Sequence, residues 1–575
     1  MRVSSLYGVA LKEAPSEAES AGHRLLLRSG LFRQLGSGLF TALPLGWRAL
    51  RKIEQILREE MDAIGGQEIS MPVVHPAEVW QASGRFEQVG AEMVRFQDRR
   101  GADLVLAMTH EEVVAWHARS EVSSYRQMPM LVYQIQTKFR DEPRARGGLI
   151  RVREFVMKDS YSLDRDEAGL KLQYEAHRVA YRRIFERCGL PVVEVQSDTG
   201  MMGGTAAHEY MYVSDIGEDH LIICDQCGYA ANREVARFRR PDVAIPAQPM
   251  SKVETPGTKT IADLSEFLGV SPAQTAKAVM YVASWPEAER ADQVVLALVR
   301  GDTEANEISV GRAVGAGALR PAEEAELRAA GLVPGYAGPV GLSEGAAIVV
   351  LDAMLAVGGF VSGANEEGFH LQGVAAGRDF TPDIEAEIAL AHEGAPCIDC
   401  GGLLALRRGV EVGNIFQLGT RYTEAVQARF LDENGKTRPI VMGSYGIGVG
   451  RLLACLAEEH RDDNGLILPA AVAPMSVCLV ALARKAEARA AAEELYVALR
   501  AAGVSVLFDD RPKISAGVKF AEADLRGLPL RAVISDRGVK SGTCELAWRR
   551  DGVRWSVPIE EAVEQIQAAL AEQGG

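Results

Sequence analysis

Two short cysteine pairs constrain this chain more than any other feature. Cys224-x-x-Cys227-Gly and Cys397-x-x-Cys400-Gly-Gly are separated by the 169 residues from 228 to 396. Paired CxxCG knuckles present four thiolates with the spacing of a tetrahedral zinc site. One ion holding all four would clasp both ends of the intervening stretch, which would then be a module inserted into another domain. The competing use of a CxxC, a dithiol redox pair, requires a thioredoxin-like helix start, and neither pair has one. Cys188, Cys455, Cys478 and Cys544 are scattered and read as buried thiols. Eight cysteines in 575 residues do not make a disulfide scaffold. The N-terminal MRVSSLYGVALKEAP lacks the apolar run of a secretion signal, so a reducing cytoplasm is expected.

The patterning agrees with an insertion. Between about 245 and 390, Ala, Gly and Val dominate, as in a self-contained α/β module. Before it, apolar residues recur from Trp47 through Leu50, Ile53, Leu57 and Met61 to Ile64, an amphipathic helix stopped by Gly65-Gly66. QEISMPVV reads as a strand whose ladder Pro72 breaks. From about 105 to 163, short strands alternate with polar loops, which predicts an antiparallel sheet. The predicted organisation is a domain split between 1–223 and 403–470, an insertion over 224–402 with a knuckle base at 224–230 and 397–402, and a compact mixed-sheet α/β domain over 471–575. The fold class is multidomain α+β and α/β. Gly465 to Ala483 is uncharged, but Pro469 and Pro474 interrupt it, so it reads as a linker entering a buried strand and no membrane span is predicted.

The net charge of −15 excludes nucleic-acid binding by the body as a whole, so any RNA contact must use local basic patches. One such patch runs from Lys138 to Arg165, where eight basic residues face five acidic ones. It contains Phe139-Arg140-Asp141-Glu142, the loop PRARGGLI and Arg151-Val152-Arg153-Glu154-Phe155. Guanidinium forks suit phosphate and carboxylate because they bind two oxygens at once. The bland reading is a solvated charged hairpin. A second candidate, Gly446-Ile447-Gly448-Val449-Gly450-Arg451, has the wrong spacing for a dinucleotide fingerprint. Its glycines could simply allow close helix–sheet packing.

Together these pieces resemble motifs 2 and 3 of class II aminoacyl-tRNA synthetases, and the helix and strand ending at Pro72 resemble motif 1, which builds the dimer interface in that class. The strings THEE at 109–112, YQIQTKFRDE, REFVMKDSYS, GGTAAHEY, VEVGNIFQLGTRY and SYGIGVGR narrow the resemblance to bacterial-type prolyl-tRNA synthetases with an inserted editing domain. A non-catalytic paralogue would lack an activating arginine or the glycine-rich turn, and Arg140, Glu142 and Arg451 are all present.

The resemblance implies activation of L-proline by ATP with Mg²⁺, transfer to tRNA(Pro), and a homodimer. It assigns Arg140 to the α-phosphate and the proline carboxylate, Glu142 to the adenine side, Phe155 to stacking on adenine, and Arg451 to the other adenine face and the γ-phosphate. Arg151, Gln417 and Thr420 are further nucleotide candidates. Thr109 and Glu111 would take proline's cationic nitrogen, with Met157, Asp159, Tyr161, His208 and Ser444 walling the ring; His208 reads equally as a core histidine. No motif identifies the Mg²⁺ ligands. Arg144 and Arg146, in the motif 2 loop, would reach the acceptor stem.

For the insertion, the resemblance implies hydrolysis of mischarged alanyl-tRNA, with Lys277, Asp352 and His370 at the family's positions. A proline-sized pocket rejects a smaller amino acid by only about 1–3 kcal/mol per methylene, so a second site is chemically needed. The last domain resembles an anticodon-binding domain, with Arg511, Lys513 and Lys519 as candidate tRNA contacts.

Overall fold

A computed structural model describes residues 1–240, 248–285, 290–356 and 358–573. The expected module boundary near 245 lies outside these residues. The chain forms two compact units, one of residues 1–194, 199–218 and 409–575, the other of 195–198 and 219–408.

The first unit is built on an antiparallel sheet. Strand Met130–Phe139 pairs over its whole length with Glu154–Asp164, from Met130 opposite Leu163 to Phe139 opposite Glu154. Glu154–Asp164 pairs with Val441–Gly448, which pairs with the 413–419 stretch of strand Leu404–Gly419, and that strand pairs with Ala206–Val213. Helices Pro44–Ala63, Glu167–Cys188 and Val449–Glu459 bury Leu57, Ile184 and Leu453 in one cluster with Ile415, Tyr445 and Ile447 of the sheet. On the opposite face, helices Ala77–Ala82 and Glu111–Glu121 bury Trp80 and Val114 with Tyr161, Leu163 and Met442.

Helix Pro44–Ala63 begins with proline at its first turn, where the missing N–H costs no hydrogen bond, and Gly65 follows it with φ +86°. The expected strand QEISMPVV is not one strand. Gln67–Glu68 pairs with the main sheet and Val74–Pro76 with another. Between them, Met71 N–H donates to the Gln134 side chain and Met71 C=O accepts from Gln136, so side chains replace the ladder that Pro72 interrupts.

Residues 477–573 form a five-stranded mixed sheet with helices. Val477–Leu482 lies between Val506–Asp509 and Leu530–Ser535, both parallel to it, followed by antiparallel Thr543–Trp548 and Arg554–Pro558. The first residues of the chain join this sheet, because Phe508 N–H donates to Met1 C=O at 2.8 Å and Arg2 pairs with Glu493. Arg549 clasps Asp462 with two bonds of 2.6 and 2.8 Å.

In the second unit, strands Ala318–Pro321, Ala276–Trp285, Arg290–Arg300, Ile348–Asp352 and Ile384–Ala386 form a mixed sheet in that order. Apolar clusters around Leu298 and Leu351 on one face and Val299 and Val350 on the other bury it on both sides. Ser251–Glu254, Phe369–Val374 and Phe360–Gly363 form a smaller antiparallel sheet. Among the described residues, no helix is long and apolar enough to cross a membrane.

Candidate active site

Strand register decides which candidate side chains meet. Residues directly opposite in neighbouring strands share a face. Tyr161, Ser444 and Phe416 are opposite one another in three strands, and Ser444 Oγ donates to Glu111 Oε1 at 2.7 Å, which marks this as the site face. Ser160, Tyr445, Ile415 and His208 form the next row and point to the other side.

Glu111 opens helix Glu111–Glu121 and is buried. Thr109 Oγ1 donates to its second carboxylate oxygen. Arg85 lies 4.0 Å from that oxygen and 2.8 Å from Glu112. The result is a buried carboxylate held by two hydroxyls, the arrangement a small cation requires.

Behind it, Asp159 and Tyr161 join Lys138 and Gln134 in a buried polar group. Asp159 accepts from Lys138 Nζ at 2.7 Å, from Gln134 at 2.9 Å and from Tyr161 OH at 2.8 Å. Asp159 was expected to wall a ring; its carboxylate is instead fully engaged in holding neighbouring strands. His110 N–H donates to Tyr161 OH, and the imidazoles of His75 and His110 both reach Pro72 C=O at 3.0 Å. Burial pushes His75 down to about 4 and His110 to about 2, so both rings are neutral.

Arg140 and Arg451, from separate stretches of chain, lie within electrostatic reach of each other. The Arg140 guanidinium lies 5.3 Å from the Phe155 ring centroid and reaches Met108 C=O at 3.4 Å, while its buried Nε has no hydrogen-bond partner. Burial presses its pKa below the ordinary value; Glu411 opposes that, and the nearby positive charge of Arg451 adds to it. Arg451 itself donates to Ile150 C=O, to Glu411 C=O at 2.8 Å and to the Glu411 carboxylate at 3.2 Å. Glu142 holds Arg151 at 2.7 Å, and Arg151 also pairs with Glu218, as does Arg146. Arg144 is exposed.

Gly446 lies at this junction for reasons of space. A Cβ there would sit 3.3 Å from Met157 Sδ.

Three sequence-derived candidates fall elsewhere. His208 lies in the row that faces helix Glu167–Cys188, where its Nδ1 meets Tyr174 OH at 2.6 Å, so it is a packed histidine behind the sheet. Gln417 is opposite Gly443, in the row of Ser162, and also faces away from Glu111. Thr420 is the N-cap of the short helix Arg421–Ala425, and its hydroxyl donates to the Glu424 carboxylate at 2.9 Å. On that strand Glu411 reaches Arg451, and Asn414, of the same parity as Phe416, has a buried Oδ1 without a partner. Alternation from Phe416 could have pointed to Asn414; the irregular pairing around residues 411–413 hides Glu411.

In the second unit, the four knuckle sulfurs lie within 4.8 Å of one another, with Cys224 and Cys400 at 3.5 Å and Cys227 and Cys397 at 3.7 Å. Ligand sulfurs about 2.3 Å from a tetrahedral zinc are about 3.8 Å apart, so the set fits the ion. Lys277 and Asp352 stand near one end of the five-stranded sheet: Lys277 is opposite Val299, and the preceding Leu298 is opposite Leu351. Lys277 pairs with Glu304. Asp352 is buried and accepts from three backbone N–H groups, of Met354, Ile388 and Ala389, each at 2.9 Å. His370 belongs to the smaller sheet, 2.6 Å from Thr255 Oγ1 and beside Tyr336, with burial holding it near 4.

The C-terminal basic residues differ from expectation. Lys519 is only 3% exposed, and its ammonium donates to Ala481 C=O and Asp509 C=O. It is a structural cation that cannot meet a phosphate. Arg511 is tied to both Asp509 and Glu522, leaving Lys513 as the exposed cation of the three.

Residues 94–460 match the family described as tRNA synthetase class II core domain (G, H, P, S and T), and residues 476–569 match an anticodon binding domain. A proline–tRNA ligase of Salinispora tropica is 52% identical over 575 residues, covering 99% of this chain and 96% of that one. A proline–tRNA ligase of Dehalococcoides mccartyi is 46% identical over 579 residues, covering the full length of both. The prolyl-tRNA synthetase of Cryptosporidium parvum, solved with L-proline and AMP, superposes with a TM-score of 0.57 at 13% identity over 98% of this chain and 78% of that one, a likeness of fold.

Proposed function

This chain belongs to the proline–tRNA ligases of the class II synthetases, and we propose that the cleft between Glu111 and Arg451 joins L-proline to ATP and then to tRNA(Pro). The observation that carries the residue assignment is that Arg140, beside the Phe155 ring, lies within electrostatic reach of Arg451, Glu142 and the hydroxyl-held Glu111. Glu111 pairs with the cationic ring nitrogen, which sets proline's carboxylate toward Arg140. Arg140 spans that carboxylate and the α-phosphate, so the attacking oxygen and phosphorus are held in line and the charge that develops is neutralised. Phe155 stacks on adenine with Arg451 over its other face, and Glu142, steadied by Arg151, meets the adenine edge. Met157, Tyr161 and Ser444 wall the ring. The oxygen donors near the arginines that could hold the Mg²⁺ of an ATP complex are the Glu411 carboxylate and Asn414 Oδ1, and the ion would supply charge neutralisation there.

We assign five further properties. The inserted unit hydrolyses alanyl-tRNA(Pro), with Lys277 and His370 toward the tRNA end and Asp352 fixing the backbone around them. The four cysteines hold structural zinc at its base. Exposed Tyr7, Val9, Leu35 and Trp47 suit a homodimer, and the enzyme works in the cytoplasm. Arg144, Arg146 and Lys513 contact tRNA.

Proline-dependent ATP–pyrophosphate exchange tests the central reading, and its absence, or exchange with another amino acid alone, would sink it. Metal analysis of purified protein should return about one zinc per chain. His370→Ala should let alanyl-tRNA accumulate while proline activation persists.

A further inference from the structure

The wall of the Glu111 subsite holds an ion pair that none of the motifs names. Arg85 follows Gly84, whose φ of +76° turns the chain inward. The Arg85 side chain is buried, with its guanidinium carbon 5.0 Å from the Trp80 ring centre and 5.8 Å from that of Tyr422. Its Nη1 lies 2.8 Å from Glu112 Oε1 and 4.0 Å from Glu111 Oε2. Ser83 Oγ also donates to Glu112, at 3.1 Å, whereas Glu112 Oε2 has no partner.

Two adjacent buried carboxylates cannot both stay ionised without a cation, because each raises the other's proton affinity. A single cation placed midway would serve both, but it would also occupy the carboxylate that must pair with substrate. The unequal distances resolve this conflict. We propose that Arg85 is a positioning residue that takes up the charge of Glu112 and thereby leaves the Glu111 carboxylate unclaimed for the cationic nitrogen of proline. This rests on the reading of Glu111 as proline's partner. The other charged or titratable groups around the pair are Tyr422 from the short helix Arg421–Ala425 and, on the sheet, Lys138, Tyr161 and Arg140. Burial favours the protonated form of Glu112, which is the hazard Arg85 counters.

The proposal predicts opposite-sign epistasis. Arg85→Met leaves the two carboxylates with no cation in direct contact, which favours protonation of one of them, and KM for proline should rise on the order of tenfold, more steeply as pH falls from 8.5 to 6.5. Glu112→Gln leaves Arg85 with Glu111 as its sole carboxylate, and the competition should raise KM for proline by a similar factor. Arg85→Met with Glu112→Gln restores one lone carboxylate and should return KM for proline to within about threefold of wild type. KM for ATP should move less than KM for proline in every variant. A structural role alone would make the double variant at least as impaired as the worse single one, and that result would overturn the proposal. If Arg85→Met fails to fold, the double variant against Glu112→Gln still decides, because recovery and further loss point opposite ways. Glu111→Gln separates the two readings: unchanged KM for proline would remove Glu111 from the subsite and the proposal with it, whereas a raised KM without recovery in the double variant would overturn the Arg85 proposal alone.

Discussion

Ser444 and Glu111 are 333 positions apart in sequence and joined by one hydrogen bond of 2.7 Å. Ser444 stands in the strand that leads into the glycine-rich turn, so this bond ties the amino-acid subsite to the element that carries Arg451. Hydrogen bonds to a charged group contribute about 1.5–3 kcal/mol. Ser444→Ala should therefore raise KM for proline about tenfold, with a smaller change in KM for ATP, measured by pyrophosphate exchange. Equal effects on both substrates would show that the bond only supports the strand.

Arg140 and Arg451 are like charges brought close, and Glu411 beside them makes that tolerable. On the proposed reading, a bound triphosphate would take over part of that compensation. Arg140→Ala should lower exchange by about 10³-fold or more if Arg140 is the proposed donor to the reacting phosphate. Glu411→Ala should act differently: Arg451 loses its anchor, and KM for ATP should rise while KM for proline changes little. Near wild-type exchange in Arg140→Ala would refute its assigned role.

The neutral imidazoles of His75 and of His110, the latter within the THEE string, give stability a pH signature. His75 and His110 both bond Pro72 C=O, and burial holds them near 4 and 2 against 6.5 for the unfolded side chain. The unfolded chain takes up protons that the folded chain refuses, so the stability from these rings is present above pH 6.5 and is lost as pH falls. Linkage gives a loss of about 2 kcal/mol for each ring between neutrality and pH 5. Urea unfolding followed by tryptophan fluorescence, with Trp80 bonded to His75, should show this slope, and His75→Gln should flatten it by about half. A stability that does not vary between pH 7.5 and 5 would contradict the assignment of neutral, buried rings.

The parts of the site legible in the sequence are those written as contiguous strings. Arg140, Glu142 and Phe155 lie on one hairpin, and Arg451 follows a glycine turn, so reading the string nearly gives the geometry. Errors arose where a role depends on parity in a strand. His208 and Gln417 sit one residue from Ala207 and Phe416, and a shift of one residue moves a side chain to the other face. The pairing irregularities between Tyr210 and Met211 and between Gln417 and Gly419 defeat simple alternation on that strand. Arg85 and Glu411 were missed for a different reason. Their partners lie in other elements, and an isolated arginine or glutamate carries no sign of burial. In the fold, Pro72 correctly announced an interruption, but not that the flanking strands would join different sheets.

Lys519 and Lys513 are close in sequence and opposite in exposure, which separates a structural cation from an RNA contact. Lys519 Nζ donates to Ala481 C=O at 2.7 Å and Asp509 C=O at 3.2 Å, and lies 3.6 Å from the Asp509 carboxylate. Removing it strands a buried carboxylate that only Arg511 would then compensate, at a cost of about 3 kcal/mol. Lys519→Ala should lower the melting temperature of the protein, with any loss of aminoacylation explained by unfolding. Lys513→Ala should leave the melt unchanged, weaken tRNA(Pro) binding modestly, and reduce the salt dependence of that binding by about one counterion, as expected for a lost phosphate contact. Binding titrations between 50 and 200 mM salt, set beside thermal melts of both variants, distinguish the two. If Lys513→Ala leaves both the affinity and the salt slope untouched, the exposed cation is not a phosphate contact, and tRNA must be gripped elsewhere on this domain.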